Sequence, residues 1–507
     1  MILIELTAAI DAAGTLRTFY QADASFVTSP ADTPANIAFG TRVIDPGSIG
    51  LHAFSDGRTG GATKLETGEI TLANVDGKLD HWLNYSFEGR PVIIRSGSGG
   101  AYPASFNTLL AGTVDGIDVT PTQLVIRLRD KQYLFDMPAR TALYGGTNVL
   151  PNGVDGVASD LKGKARPAPF GKVFNVSPPQ VNTSQLVFEP GPCGSVDAVY
   201  SNGAPLQVTA GPNYTSLADM MANSPASGYY RAWPAGGYFR LGSYNAEQIT
   251  ADVTEGATSA DRTVAQILKR LAVAAGVPVG DVSAADVAAL DALNPAVVGI
   301  WIDDDNSTFA SAMDEIASSI GAWYGFDQAG VLRMGRLSEP AGAPVLTIRD
   351  RDMLATPERR PPRDAAGPAW SATVNHTKCW TVQASGLAGS AAARAGFVGI
   401  ERRSSNAADA SVKTQWLMSG KVEADTLLTA TADGDAEAAR LLAMHKVRRD
   451  LFDVSISVDM LTKRPVRIAD TVSVQTDRYG MTAGRLFLVI GFALNLAGNT
   501  ATLYLWG

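Results

Sequence analysis

Four histidines, two cysteines and one run of three aspartates are the places where this 507-residue chain could do chemistry. His52, His81, His376 and His445 stand in no H-E-x-x-H or other ligand spacing, so no pair falls one helical turn apart to grip zinc. His445 lies on the apolar face of a helical stretch and reads as a packed or hydrogen-bonded core residue. His81 sits beside Trp82 near a turn, with no serine or cysteine nucleophile at a suggestive spacing. Cys193 and Cys379 lie far apart and read as reduced, packed thiols, with pairing as the alternative. Two sulfurs alone hold neither an iron–sulfur cluster nor a structural zinc.

Asp303-Asp304-Asp305 is the densest acidic run. A calcium loop starting there needs Gly at its sixth position and Glu at its twelfth; Thr308 and Asp314 stand instead. Acids just ahead of a helix, with Ser307 or Asn306 as its cap, account for the run better. Ser159-Asp160-Leu161-Lys162 matches S-x-x-K, but its K-T-G and S-D-N partners are missing. No nucleophile elbow, Walker loop or G-x-G-x-x-G occurs, and Ser98-Gly99-Gly100 reads as a strand connection. Paired glycosidase carboxylates are placed by the fold and not by spacing. The sequence therefore assigns no catalytic, cofactor-binding or metal-binding residue, and the expectation is a protein that is not an enzyme and carries no cofactor.

Composition narrows the classes further. Charged residues make up 18% of the chain, below the roughly 25% of ordinary soluble domains. Low charge with 50 glycines suits a turn-rich protein that buries surface in an assembly. Net charge is −8, and Arg359-Arg360 and Arg402-Arg403 are isolated pairs, so no basic stripe exists for sequence-specific DNA binding. An acidic wall suits passive contact with DNA, because phosphate contacts are what grip it. No apolar run approaches the roughly 20 residues of a membrane span. The start, MILIELTAAIDAAG, lacks a basic flank and is interrupted by Glu5, so it reads as a strand and not a signal peptide.

The elements come next, and the length alone suggests about three domains. Alternation predicts strands at Ile2–Leu6, Thr18–Val27, Arg42–Asp45, Glu69–Asn74, Pro91–Arg95, Leu109–Val119 and Leu124–Arg129, the last two a hairpin over 120–123. Asp76-Gly77 supplies a turn. A Pro/Gly-rich joint is expected from Lys164 to Pro179, then a strand ending in the Asn202-Gly203 turn. Tyr229, Tyr230, Trp233, Tyr238, Phe239 and Tyr244 form either a β-domain core or a sugar-stacking platform.

Helical spacing follows at Asp261–Ala275, then after Ser283 with Val287, Leu290 and Leu293 inward, then at Ser307–Ser319. The third helix runs into a hairpin over Gln328-Ala329-Gly330. Strands return from Val345 to Gln383, with Trp370–Gln383 the longest. Ser385–Ser411 has low complexity and is expected to be a mobile or weakly packed connection. A helix at Asp435–Arg449 precedes closing strands at Phe452–Met460, Asp470–Val474, Leu486–Leu494 and Thr500–Leu505. The fold class is mainly β with α+β insertions. The units are 1–175 (tube-like β), 176–256 (β-rich and aromatic), 257–340 (helices plus hairpin) and 341–507 (β with the helix 435–449).

The segment TGEITLANVDGKLDHWLNYSFEGRPVIIRSG (67–97) resembles the tube-like domain of phage tail-tip or baseplate hub proteins. The stretches 169–206, 300–337 (ending IGAWYGFDQAGVLRMGRL), 370–383 and 435–507 are similar to the same family in order and spacing. The resemblance implies tube-like β-barrel or sandwich domains in a virion structural protein at the tail tip of a long-tailed phage, prophage or gene-transfer particle. It implies homo-oligomers, typically trimers, forming a ring that continues the tail tube. That ring would join the distal tail protein to central tip proteins and pass DNA through its lumen. Assembly is expected in the bacterial cytoplasm, and the tail to be of the non-contractile type. The rival readings are a carbohydrate-binding adhesin using the 213–244 aromatics and a tail-associated cell-wall hydrolase.

Overall fold

Ile4, Leu6 and Ala8 are buried and alternate with half-buried Glu5 and Thr7, while Leu3 is buried on the opposite face, so Ile2–Ala9 is covered on both sides at its start. A computed structural model describes residues 1–53, 61–149, 151–360 and 368–507. In it Ile2–Ala9 runs antiparallel between Leu16–Ala22 and Pro91–Ser96. The sheet continues through Asn107–Val119, Gln123–Arg129 and Ile70–Ala73 to Val43–Asp45, seven strands in all. The hairpin over 120–123 forms as its alternation requires, with Leu124 and Ile126 fully buried. Ile70–Ala73 and Pro91–Ser96, neighbours in sequence across the Asp76-Gly77 turn, are separated in space by the two strands of that hairpin.

A second large sheet is built from the other end of the chain. Leu346–Arg349, Thr471–Gln475, Arg485–Asn495, Thr500–Trp506, Leu451–Ser457 and Glu358–Arg360 lie side by side in that order. Ser48–His52, from the N-terminal part, pairs with Arg485–Asn495 and with Lys64–Thr67. The inner faces of the two sheets meet in one core, in which Ile4, Ile70, Ile94 and Ile126 pack with Val454, Val472, Val489 and Leu503. Strands hold 38% of the residues and helices 20%, so the mainly β class with α+β insertions stands.

A second core gathers Val264–Ala274, Ala284–Leu293, Phe309–Ser318 and the hairpin Ala322–Phe326 with Leu332–Arg336. Thr431–His445 packs against the sheet formed by Arg403–Ala408, Ala369–His376 and Gly420–Asp425 and joins the same core. A third core holds Val173, Val199, Tyr230, Phe239, Val253 and Trp301. Among the described residues no helix is long and apolar enough to cross a membrane.

Several expectations are corrected. The joint at 164–179 contains a central strand, Ala168–Val176, whose first half pairs with Gly299–Ile302 and second half with Ile249–Thr254. Gly171, at φ +74°, is the switch between the two partners; a Cβ there would stand 2.0 Å from the Val298 carbonyl oxygen. Thr18–Val27 stops as a strand at Ala22. Trp370–Gln383 stops at His376, where Thr377 turns to φ +52°. The strand from Phe452 ends at Ser457, whose hydroxyl accepts from Asp459 N–H and caps the helix Val458–Lys463.

The helix placed at Asp435–Arg449 begins at Thr431 and ends at His445. Leu293 points outward at 62% exposure, while Val287 and Leu290 are buried. Ser385–Ser411 is not a loose connection. It folds into short helical turns at Gly389–Arg394 and Ala395–Val398 and the strand Arg403–Ala408, with Ala391 and Val398 buried. Small residues let it lie close to its neighbours, and low complexity hid that.

Candidate functional site

The histidines singled out by the sequence differ in burial and in partners. His52 stacks on Tyr504 with ring centroids 4.6 Å apart, and burial lowers its pKa. His81 is exposed, its ring edge-on to Tyr85. His376 is buried between Thr377 Oγ1 at 2.8 Å and Ser405 Oγ at 3.1 Å, with Gly434 tight against the ring. His445 is buried at the end of its helix, its Nε2 without a hydrogen-bond partner. Burial, then Arg440 and Arg449, bring its pKa down to about 4.

Asp304 accepts from Asn306 N–H at 2.8 Å, Ser307 N–H at 2.6 Å and Ser307 Oγ–H at 2.9 Å. That closed turn absorbs the acidic run, and the helix is capped one residue later than expected, by Thr308. Ser159 and Lys162 lie exposed on a turn. Cys193 and Cys379 are free thiols, and burial pushes Cys193 up to about 12. Among the described residues no cluster of His, Cys, Asp and Glu is arranged to hold a metal ion.

The aromatic cluster of 229–244 is mostly interior. Tyr230, Tyr238 and Phe239 are buried, Phe239 stacks on Phe188 at 5.4 Å, and Trp233 lies flat over Gly236. Only Tyr244 of the six stands well out, at 78% exposure. A sugar needs adjacent exposed ring faces, and this arrangement turns them inward.

A groove lies between the 322–336 hairpin and the segment 465–470. Its wider part measures about 460 Å³ and its narrower part about 160 Å³, and they share Thr108, Gln328, Pro465, Val466 and Phe492. Strand alternation puts Trp323, Gly325, Arg333 and Gly335 on the hairpin face that lines it. Asp286, Asp327 and Asp470 balance Arg333, Arg336 and Arg467. Arg333 is held by Asp286 at 2.5 and 3.0 Å. Arg336 Nε donates to the Ile320 carbonyl at 2.8 Å, and its Nη2 to Glu437. Trp323 Nε1 is buried without a partner. The lining of the groove comes from stretches well separated in the sequence.

Charged clamps tie the units around it. Glu437, with a side chain 2% exposed, receives both Arg336 and Arg440, and Arg440 also donates to the Leu337 carbonyl at 3.1 Å. Asp450 is bound by Arg359 at 2.7 Å and Arg485 at 2.9 Å, which hold its carboxyl below the usual range although burial opposes them. Among the described residues no strand pairs with the outer edges of Arg403–Ala408, Gly420–Asp425 or Glu358–Arg360. Such open edges are where another chain adds a strand.

No protein-family model matches this chain, and no curated protein does. Solved structures that it is similar to include tail and prophage tail proteins. A tail protein from Neisseria meningitidis MC58 is 11% identical, with a TM-score of 0.42, over 91% of this chain and 90% of that one. The 43 kDa tail protein of prophage MuSo2 from Shewanella oneidensis is 11% identical, with a TM-score of 0.41, over 99% and 98%. A chain of the native gene transfer agent virion is 14% identical, with a TM-score of 0.44, over 68% and 85%.

Proposed function

We propose that this chain is a structural subunit of a phage-type tail, a hub whose copies join into a ring that continues the tail tube. In this reading the ring connects the distal tail protein to central tip proteins and lets DNA through its lumen. The units 1–175 and 341–507 build the ring wall, and three copies, the number the resemblance implies, close it. The observation that supports this most is where the hub-like stretches fall. Those at 67–97 and 435–507 supply strands to the two sheets that share one core. Those at 169–206 and 300–337 supply the switch strand and the groove hairpin. The resemblance thus tracks the framework. Low charge and open sheet edges suit a protein completed by its neighbours.

The protein acts without catalysis in this account. A tagged copy in intact particles, located by gold label in negative stain, tests the reading. Label at the tail tip is expected, and label on the head or absence from particles would overturn it. A zymogram on purified peptidoglycan is expected to stay opaque; clearing would assign a hydrolase instead.

A further inference from the structure

Ser419 N–H donates to the Trp416 carbonyl at 2.9 Å and closes a tight turn whose central residues are Leu417 and Met418. Such positions ordinarily hold Gly, Pro, Asn or Asp. Here they hold two large apolar side chains that are 89% and 99% exposed. Single exposed apolar residues need no explanation, but an adjacent pair at the apex of a turn does.

The surroundings are as specific as the apex. Trp416 and Trp370 are half-buried behind it. Lys413 lies 3.5 Å and Lys421 5.2 Å from the Trp370 ring centroid, and Arg448 lies 5.9 Å from that of Trp416. Among the described residues Lys413 and Lys421 make no ion pair. The carboxylates Asp409 and Asp450 are already engaged, by Lys446 at 3.4 Å and by Arg359 and Arg485. The result is an apolar point with two indoles behind it, and two exposed lysines seated on the Trp370 ring that make no ion pair among the described residues.

We propose that this turn is a membrane-contacting tip that seats on bilayers rich in anionic phospholipid. Leu417 and Met418 enter the acyl boundary, the indoles lie at headgroup depth, and the lysines face phosphate. The surface is convex, so a folded partner would need a pocket moulded to it, whereas a fluid bilayer closes around two flexible side chains unaided. The inference goes beyond the hub reading and does not depend on it, although a ring would multiply a weak contact.

The test is sedimentation of the full chain with vesicles of phosphatidylglycerol and, separately, of phosphatidylcholine. Wild type is expected to bind the phosphatidylglycerol vesicles more strongly, and the Leu417→Asp/Met418→Asp variant about tenfold less tightly. Lys413→Glu/Lys421→Glu is expected to lose the preference between the two lipids. All four positions are exposed or at a turn, and an unchanged melting profile shows that each variant folds. Wild type ignoring both lipids, or the apex variant binding as well as wild type, overturns the proposal. Ring formation by the apex variant separates the two accounts, since it leaves the hub reading intact.

Discussion

The guanidinium carbon of Arg394 lies 3.2 Å from the centroid of the Tyr200 ring. The same group reaches Asp252 at 3.3 Å, and Asp252 also accepts from the Tyr200 hydroxyl at 2.7 Å and from Asn175 N–H at 2.8 Å. One arginine therefore pins the low-complexity segment 385–411 to the strands 168–176, 195–201 and 249–254. Burial raises the Asp252 pKa against Tyr200 and Arg394, which work to keep it ionised.

Replacing Arg394 with Ala leaves that carboxylate buried and without its cation. A loss of about 3 kcal/mol is expected, because breaking a buried pair strands the other charge. Chymotrypsin is expected to cut at Phe397 much faster in the variant; unchanged cleavage would mean the segment is held by its small residues alone.

Gly171 allows one strand to change partners. Gly171→Ala is expected to cost about 4 kcal/mol or to abolish folding, since it combines a positive φ with a Cβ driven into a carbonyl oxygen. Thermal unfolding of the soluble fraction measures it, and a melting point near wild type would contradict the two-partner strand.

Glu437 is the single anion between Arg336 and Arg440. Glu437→Ala is expected to destabilise by about 3–5 kcal/mol. Glu437→Ala with Arg336→Met should recover part of that, because one stranded charge is removed with its partner. Denaturant midpoints of the two variants decide it.

His445 gives the fold a pH dependence with a definite sign. It stays neutral when folded, because burial and then Arg440 and Arg449 bring its pKa down to about 4 from the ordinary 6.5 of a histidine. The stability tied to its neutral form is complete above about pH 6.5 and is lost as pH falls toward 4, about 3 kcal/mol at most. His445→Leu is expected to flatten the fall in denaturant midpoint across that window. A parallel curve would place the acid sensitivity elsewhere.

Much of the fold was legible because alternation and helical spacing report burial directly. The runs at 70–73, 91–96 and 123–129 alternate, and the structure places their buried residues on the shared core; Ile4, Leu6 and Ala8 join the same core, while Leu3 packs on the other face. The errors came where a local signal has two meanings. Pro and Gly around 167–171 read as a break, yet Gly171 serves a strand that changes partners. Alanine and glycine at 386–399 read as looseness, yet small side chains allow close packing: a Cβ on Gly203 would stand 3.2 Å from that of Ala391. The groove was not legible at all, because Asp286, Trp323, Arg467 and Phe492 converge only through the tertiary fold. The Leu417-Met418 turn was visible as letters, but its exposure depends on Ser419 closing back on Trp416.

The central claim is that copies of this chain close into a ring. Light scattering and negative-stain imaging of the purified protein, alone and mixed with its neighbouring tail proteins, test it most directly. The account expects a closed ring with an open lumen in at least one of those conditions. A chain that stays monomeric in both would contradict it.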